Sequence, residues 1–451
     1  MGGPDLERLT DQIVSFSQEL SFADLPPAVV AKAKALVLAA VWCGLGAVSS
    51  PPALIAQAMA ATVSSTMPAT VLGTGQRTSP DLAAFANGVM IRYLDYNPSD
   101  VISAVLASTE AAQGDGRSAI VGTVLAFEVL SALADARPHG YATESDWTRW
   151  DHSTQTVIAA AAVAARQLGL SREQAGHAVS LATVSHMTLG RVRRGQLSHW
   201  KGSATANASR NGVFCALLAA RGMTGPSPIF EGPNGFFEAM GTEFEFLPMP
   251  NGSYGIMDAH VKSVPAGFYG QGPAEAVAEL RSKIPSLDAI KEVRVLTSPH
   301  GAQAMGTDIS RWRPETRETA DHSLAFVVAM TFMEGRLEVR HFDEERYKRP
   351  DVRRFMAKVQ VIASDELVHA SERLAFSEVA VETESGDVHT ARVTHPLGHP
   401  ERPMADEDYE RKFRSLAEPV LPEERIVRLL DSLRDLEHAD DVGAVIALTA
   451  R

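Results

Sequence analysis

From residue 7 to about residue 250, apolar positions recur with helical spacing and show no sustained alternation. Residues 7–20 form one such stretch. Pro26 and Pro27 open a second from Ala28 onward, where proline's missing N–H costs least, and it runs into Gly44 and Gly46. Residues 81–92 predict a further helix, ending before the polar segment Leu94-Asp95-Tyr96-Asn97-Pro98-Ser99-Asp100. Residues 119–134 and 156–168 are rich in alanine and poor in charge, which predicts helices buried on several sides. Ser171 reads as the N-cap of the next helix, although Glu173 stands one position early for a capping box. Residues 203–220 continue the helical pattern.

The period changes after about residue 258. Val293, Val295 and Thr297 alternate with polar neighbours, as do Val359 and Val361. Val379, Val381 and Thr383 alternate again, and Ser385-Gly386-Asp387 leads into residues 388–393, a pattern that predicts a β-hairpin. Residues 272–283 and 322–335 predict helices between these strands, and helical spacing returns over 406–450. The expected fold is mainly α: a large all-helical domain from 1–257 plus 397–451, with a smaller α+β lid domain inserted over 258–396. No internal repeat or low-complexity tract is visible.

Composition narrows the function. Hydrophobic residues make up 45% and charged residues 22% of 451, which excludes disorder over most of the chain. The net charge of −13 opposes nucleic-acid binding and requires local cations to gather any anionic substrate. Cys43 and Cys215 lie in apolar stretches without metal-ligand spacing, so buried free thiols in a reducing, cytoplasmic setting are expected. The first twelve residues do not read as a signal peptide. The longest uncharged apolar run, 35–48, is too short for a bilayer and predicts a buried core helix, with no membrane partner.

Four polar clusters border apolar helices: Asp95 with Asn97, Ser99 and Asp100; Trp150 through Gln155, containing His152; His199 through Ser203, containing Lys201; and Lys262 with Pro265, Tyr269 and Gln271. Helix N-termini and lysines both attract carboxylates, and an acid beside a histidine or lysine can move a proton. Polar loops between helices are also simply the loops that meet water. Arg191, Arg193 and Arg194 could grip carboxylates, but a solvated or interfacial basic loop is the default reading. Gly232, Gly235 and Gly241 lack the strand–turn–helix context of a nucleotide fingerprint, and Phe236-Phe237 between them reads as packing.

Together, Leu25-Pro26-Pro27-Ala28-Val29-Val30-Ala31-Lys32-Ala33-Lys34, the Leu94-Asp95-Tyr96 loop with Pro98-Ser99-Asp100, Trp200-Lys201-Gly202, Lys262-Ser263-Val264-Pro265-Ala266, and Asp321-His322-Ser323 with Gly335-Arg336 resemble the MmgE/PrpD family from about residue 7 to about 440. That family includes 2-methylcitrate dehydratase, cis-aconitate decarboxylase and iminodisuccinate epimerase. The resemblance implies a helical body with an α+β lid, a homodimer, a small polycarboxylate substrate, and neither metal nor organic cofactor. It implies catalytic roles for Asp95, His152, Lys201 and Lys262, with Asn97, Ser99 and Tyr269 as substrate-binding positions.

Two departures stand out. The family's dehydratases and decarboxylases have a longer loop after the aspartate and a histidine before Pro-Ser, where this chain has Asn97, which cannot move a proton near neutral pH. A second family histidine, near the hinge lysine, is also missing, with Gly267 and Tyr269 at the two candidate positions. The expected activity is proton movement α to a carboxylate in a di- or tricarboxylate. A 2-methylcitrate dehydratase-like lyase leads. An iminodisuccinate-type epimerase, a cis-aconitate decarboxylase-like enzyme and a non-catalytic binding homologue are the alternatives.

Overall fold

The computed structural model describes residues 8–96, 101–135, 150–241, 243, 246, 248–249, 252–364 and 377–451. Among the described residues the fold is mainly helical, with a small four-stranded mixed sheet and a short antiparallel pair, Ala69–Thr70 with Arg77–Thr78, which lies in the stretch expected to be all-helical. The apolar spacing of the first half becomes a stack of buried helices, of which Pro27–Ala47, Pro80–Tyr93, Ser153–Gln167 and Trp200–Ala219 form the centre. Pro27–Ala47 passes straight through Gly44 and Gly46, because a Cβ at Gly46 would lie 2.8 Å from Leu94 and 2.9 Å from Leu416. Small residues are what let those neighbours approach. That helix and Gly116–Leu133 are long and apolar enough to cross a membrane by length and composition, yet most of each is buried against other helices.

Ser171 does cap its helix in a full capping box. Gln174 at the third position supplies the reciprocal bond that Glu173 is misplaced to make: Gln174 N–H donates to Ser171 Oγ (3.2 Å), and Ser171 N–H to Gln174 Oε1 (3.1 Å). The sequence pattern also passes over the helices Pro51–Ala60 and Ile102–Ala111, whose apolar residues show little amphipathic contrast.

A second apolar core runs from Ala266 to Val393. Its sheet has the order Val359–Ala363, Ile290–Thr297, Ser377–Thr383, Val388–Val393. The first pair is parallel and the others are antiparallel, with the expected hairpin at the end. Helices Gln271–Arg281 and Leu324–Glu334 pack on each other and on the sheet. The C-terminal helices Asp406–Ala417 and Glu423–Arg434 return to the first core and pack on Pro27–Ala47.

The chain crosses between the cores at 261–266 and returns through 393–404. Val261 N–H donates to Gly398 O (3.1 Å), tying the two crossings together. Gly398 has φ +93°, and a Cβ there would meet Val261 O at 1.8 Å, so the tie requires glycine. Gln271 fastens the loop beside it: Oε1 accepts from the Ser263 and Val264 amides (both 3.0 Å), and Nε2 donates to Val264 O (3.0 Å) and Ala266 O (3.1 Å).

Candidate active site

Helices Pro80–Tyr93 and Trp200–Ala219 run antiparallel in close contact. A Cβ at Gly88 would lie 2.8 Å from Ala206, and one at Gly202 would lie 3.1 Å from Arg92. This register carries the end of the first helix to the start of the second, and so Asp95 to Lys201. Beyond the helix end, Asp95 adopts a left-handed conformation (φ +56°), which aspartate tolerates better than most residues. Its carboxylate is fully buried.

Four cationic or imidazole groups surround that carboxylate. Lys262 Nζ donates to Oδ1 at 3.0 Å and Arg92 Nη1 lies 3.7 Å from Oδ1. Lys201 Nζ lies 3.6 Å and His322 Nδ1 3.7 Å from Oδ2, an oxygen that accepts no hydrogen bond from the described residues. Lys201 Nζ also donates to Asp321 Oδ1 (3.3 Å), and His322 Nδ1 lies 2.5 Å from the same oxygen. Burial pushes the Asp95 carboxyl up, but Lys201, then Lys262, Arg92 and His322 outweigh it and hold the group well below the usual range. Burial lowers Lys262, with Asp95 opposing. His322 is lowered to about 4 by burial and then by Lys201, against the pull of Asp321.

Atoms of Asp95, Asp321 and His322 lie within 4.8 Å of one another, close enough to share a metal ion. The charges argue for another ligand. Two carboxylates face Lys201, Lys262 and Arg92, and among these five described groups one net positive charge is left before any ligand enters. A buried basin of that sign suits an anion.

Two family models cover most of this chain: the MmgE/PrpD N-terminal domain matches residues 11–248, and the MmgE/PrpD C-terminal domain matches residues 264–436. The chain belongs to the MmgE/PrpD family. Among its relatives, human cis-aconitate decarboxylase is 26% identical, over 98% of this chain and 95% of its own length. The mitochondrial 2-methylcitrate dehydratase of Yarrowia lipolytica is 27% identical, over 80% of this chain and 74% of its own. The 2-methylcitrate dehydratase of Salmonella typhimurium is 29% identical, over 74% of each chain. In this MmgE/PrpD chain Lys262 lies in the interval between the two matches, residues 249–263.

The structure brings Asp95, Lys201 and Lys262 into one cluster. His152 stands in a neighbouring group, its side chain 41% exposed, with Nδ1 3.5 Å from Asp151 and both ring nitrogens 3.4–3.5 Å from Arg193 Nη2. Arg92 acts electrostatically on both groups. Tyr269 stacks edge-on with Phe268 and His300 at 5.3 and 5.4 Å. Asn97 and Ser99 lie outside the described residues.

Arg193 differs from the solvated-loop expectation: its Nε donates to the buried Asp151 at 2.7 Å, bracing the segment that leads to His152. Phe236 and Phe237 are packing residues, as expected, and both cysteines are buried free thiols.

Sequence reasoning assigned no site role to Arg92, Asp321 or His322, although Asp321-His322-Ser323 carried part of the resemblance. The available signal was an aspartate and a histidine in a three-residue break between the helices Arg317–Ala320 and Leu324–Glu334. Lys412 was also missed. From the helix Asp406–Ala417 its Nζ donates to the carbonyls of Lys262 and Ser263 and stands 3.7 Å over the Tyr96 ring.

Proposed function

We propose that this protein is a lyase acting on a small di- or tricarboxylate, 2-methylcitrate dehydratase-like, with proton removal α to a carboxylate as the common step. The observation that carries the reading is the buried net-positive cluster around Asp95. Lys201 and Lys262 hold substrate carboxylates and offset the enolate-like charge that develops when the α proton leaves. Asp95 fixes the two ammonium groups in place while remaining ionised. The α+β unit serves as a lid, since the cluster draws Asp95 and Lys201 from the first core and Asp321 and His322 from the second.

A decarboxylase-like outcome is the second reading. It is favoured by the 98% coverage of this chain by human cis-aconitate decarboxylase, against 74–80% by the two dehydratases compared above. Both share the α-proton step with epimerisation.

The test is incubation of 2-methylcitrate, citrate and cis-aconitate in deuterated buffer, followed by mass spectrometry and proton NMR. Exchange at an α-carbon with loss of water supports the dehydratase, and exchange with loss of carbon dioxide the decarboxylase. Absence of exchange, product and saturable binding for all three would overturn the reading.

A further inference from the structure

The cluster holds a histidine whose geometry is that of an oriented base. His322 Nδ1 lies 2.5 Å from Asp321 Oδ1 and 3.7 Å from Asp95 Oδ2. Both neighbours are carboxylate oxygens, so Nδ1 carries the ring proton in the neutral tautomer and Nε2 carries the lone pair. Asp321 is itself fixed, because Lys201 donates to its carboxylate and its backbone carbonyl accepts from Gly267 N–H at 2.8 Å. The imidazole is thus held in one orientation and one tautomer by a buried acid.

Nε2 faces the backbone of Gly267, on the side of the ring away from Asp321. A Cβ on Gly267 would lie 3.3 Å from His322 Nε2 and 2.9 Å from Met305 Sδ. Glycine there places no side chain against Nε2, in the same cluster as the lysines that would hold substrate carboxylates. His152 is placed otherwise, with both nitrogens within reach of the Arg193 guanidinium and an open side chain.

Building on the proposed lyase reading, we propose that His322 Nε2, oriented by Asp321, removes and returns the proton on the substrate carbon α to a carboxylate. The C–H bond breaks and an Nε2–H bond forms. The C–H electron pair moves onto the adjacent carboxylate as an enediolate, whose charge Lys201 and Lys262 face. Returning the proton reverses each change, and loss of a β-hydroxyl as water takes up the same proton. Lys201 is the charged group that most depresses the basicity of His322. A substrate carboxylate bound to Lys201 screens that charge and raises the imidazole's basicity when it is needed.

The decisive measurement is α-deuterium exchange of the bound polycarboxylate, alongside substrate affinity from thermal shift. His322→Gln keeps a polar side chain beside Asp321 but has no basic nitrogen. Its exchange rate is expected to fall 10²–10⁴-fold, the range for loss of a general base, with affinity changed by less than about 3-fold and with loss of the pH-dependent limb of the exchange profile. Gly267→Ala has a permitted backbone and crowds Nε2, and is expected to lower exchange about 10-fold in a folded protein, which decides the matter if His322→Gln does not fold. Exchange within about 3-fold of wild type in either folded variant overturns the assignment while leaving the lyase reading standing. If wild type itself exchanges no di- or tricarboxylate, the lyase reading fails and this assignment with it.

Discussion

Replacing Lys201 by methionine isolates the electrostatics of the site, because methionine fills most of the lysine stem and leaves little cavity. Lys201 is 2% exposed and serves two carboxylates, Asp95 at 3.6 Å and Asp321 at 3.3 Å, both at most 2% exposed. Removing one partner of a buried ion pair costs about 3–5 kcal/mol. Lys262 still neutralises Asp95 at 3.0 Å and His322 still bonds Asp321, so the loss belongs at the lower end, about 3 kcal/mol. At about 2.1 cal/mol/K per residue, a chain of 451 residues has an unfolding entropy near 0.95 kcal/mol/K, so this loss moves Tm by only about 3 °C. Urea titration at several pH values is the better assay.

The sign of the pH effect follows from Asp95. Its folded pKa lies well below its ordinary value, so it contributes stability above the unfolded pKa, which is lost as pH falls through the folded pKa. In Lys201→Met the folded pKa rises. The stability gap between variant and wild type is therefore full at pH 7 and narrows as pH drops through the variant's raised pKa. A gap that is absent at pH 7, or that widens as pH falls, would refute the account of Lys201 as the counter-charge.

Lys262→Ala is expected to raise KM at least 10-fold with a smaller change in kcat, because it removes a carboxylate contact made before and during the reaction; steady-state kinetics decide it. Gly398→Ala forces a Cβ onto Val261 O at φ +93° and is expected to cost more than about 2 kcal/mol in urea melts, with KM rising because Lys262 adjoins that crossing. Burial lowers Lys412 to about 7. The unfolded chain then binds more protons between pH 7 and about 10, so wild-type stability gains from this group as pH rises, and Lys412→Met lacks that gain in paired urea titrations. Activity is expected to survive dialysis against a strong chelator, and its loss with recovery on adding a divalent metal would contradict the anion-site reading of Asp95, Asp321 and His322.

The order of elements was legible because backbone periodicity writes itself into neighbouring residues. Alternation at 379–383 and 388–393 gave the hairpin, and the uncharged stretch at 35–48 forms the second half of a buried helix and its C-cap. Where local contrast was weak, at residues 51–60 and 102–111, the pattern was silent. The site was legible only through family resemblance, which marked Asp95, Lys201 and Lys262. A lysine beside a helix start looks the same whether it meets water or a carboxylate 120 residues away, as Lys201 meets Asp321.

The sequence alone therefore determined the segments whose local pattern is strong, such as the hairpin strands and the alanine-rich helices, and which residues are ionisable. Tertiary packing decided which charges meet. The antiparallel register of Gly88 on Ala206 and Gly202 on Arg92 set Asp95 against Lys201, and the crossing held by Gly398 and Gln271 presented Lys262. The break before the helix Leu324–Glu334 brought Asp321 and His322 in from the second core, whereas His152 lies with Arg193. Local propensity acts over a turn or two of chain, whereas an electrostatic site depends on distances of 3–4 Å between segments that only a packed core brings together.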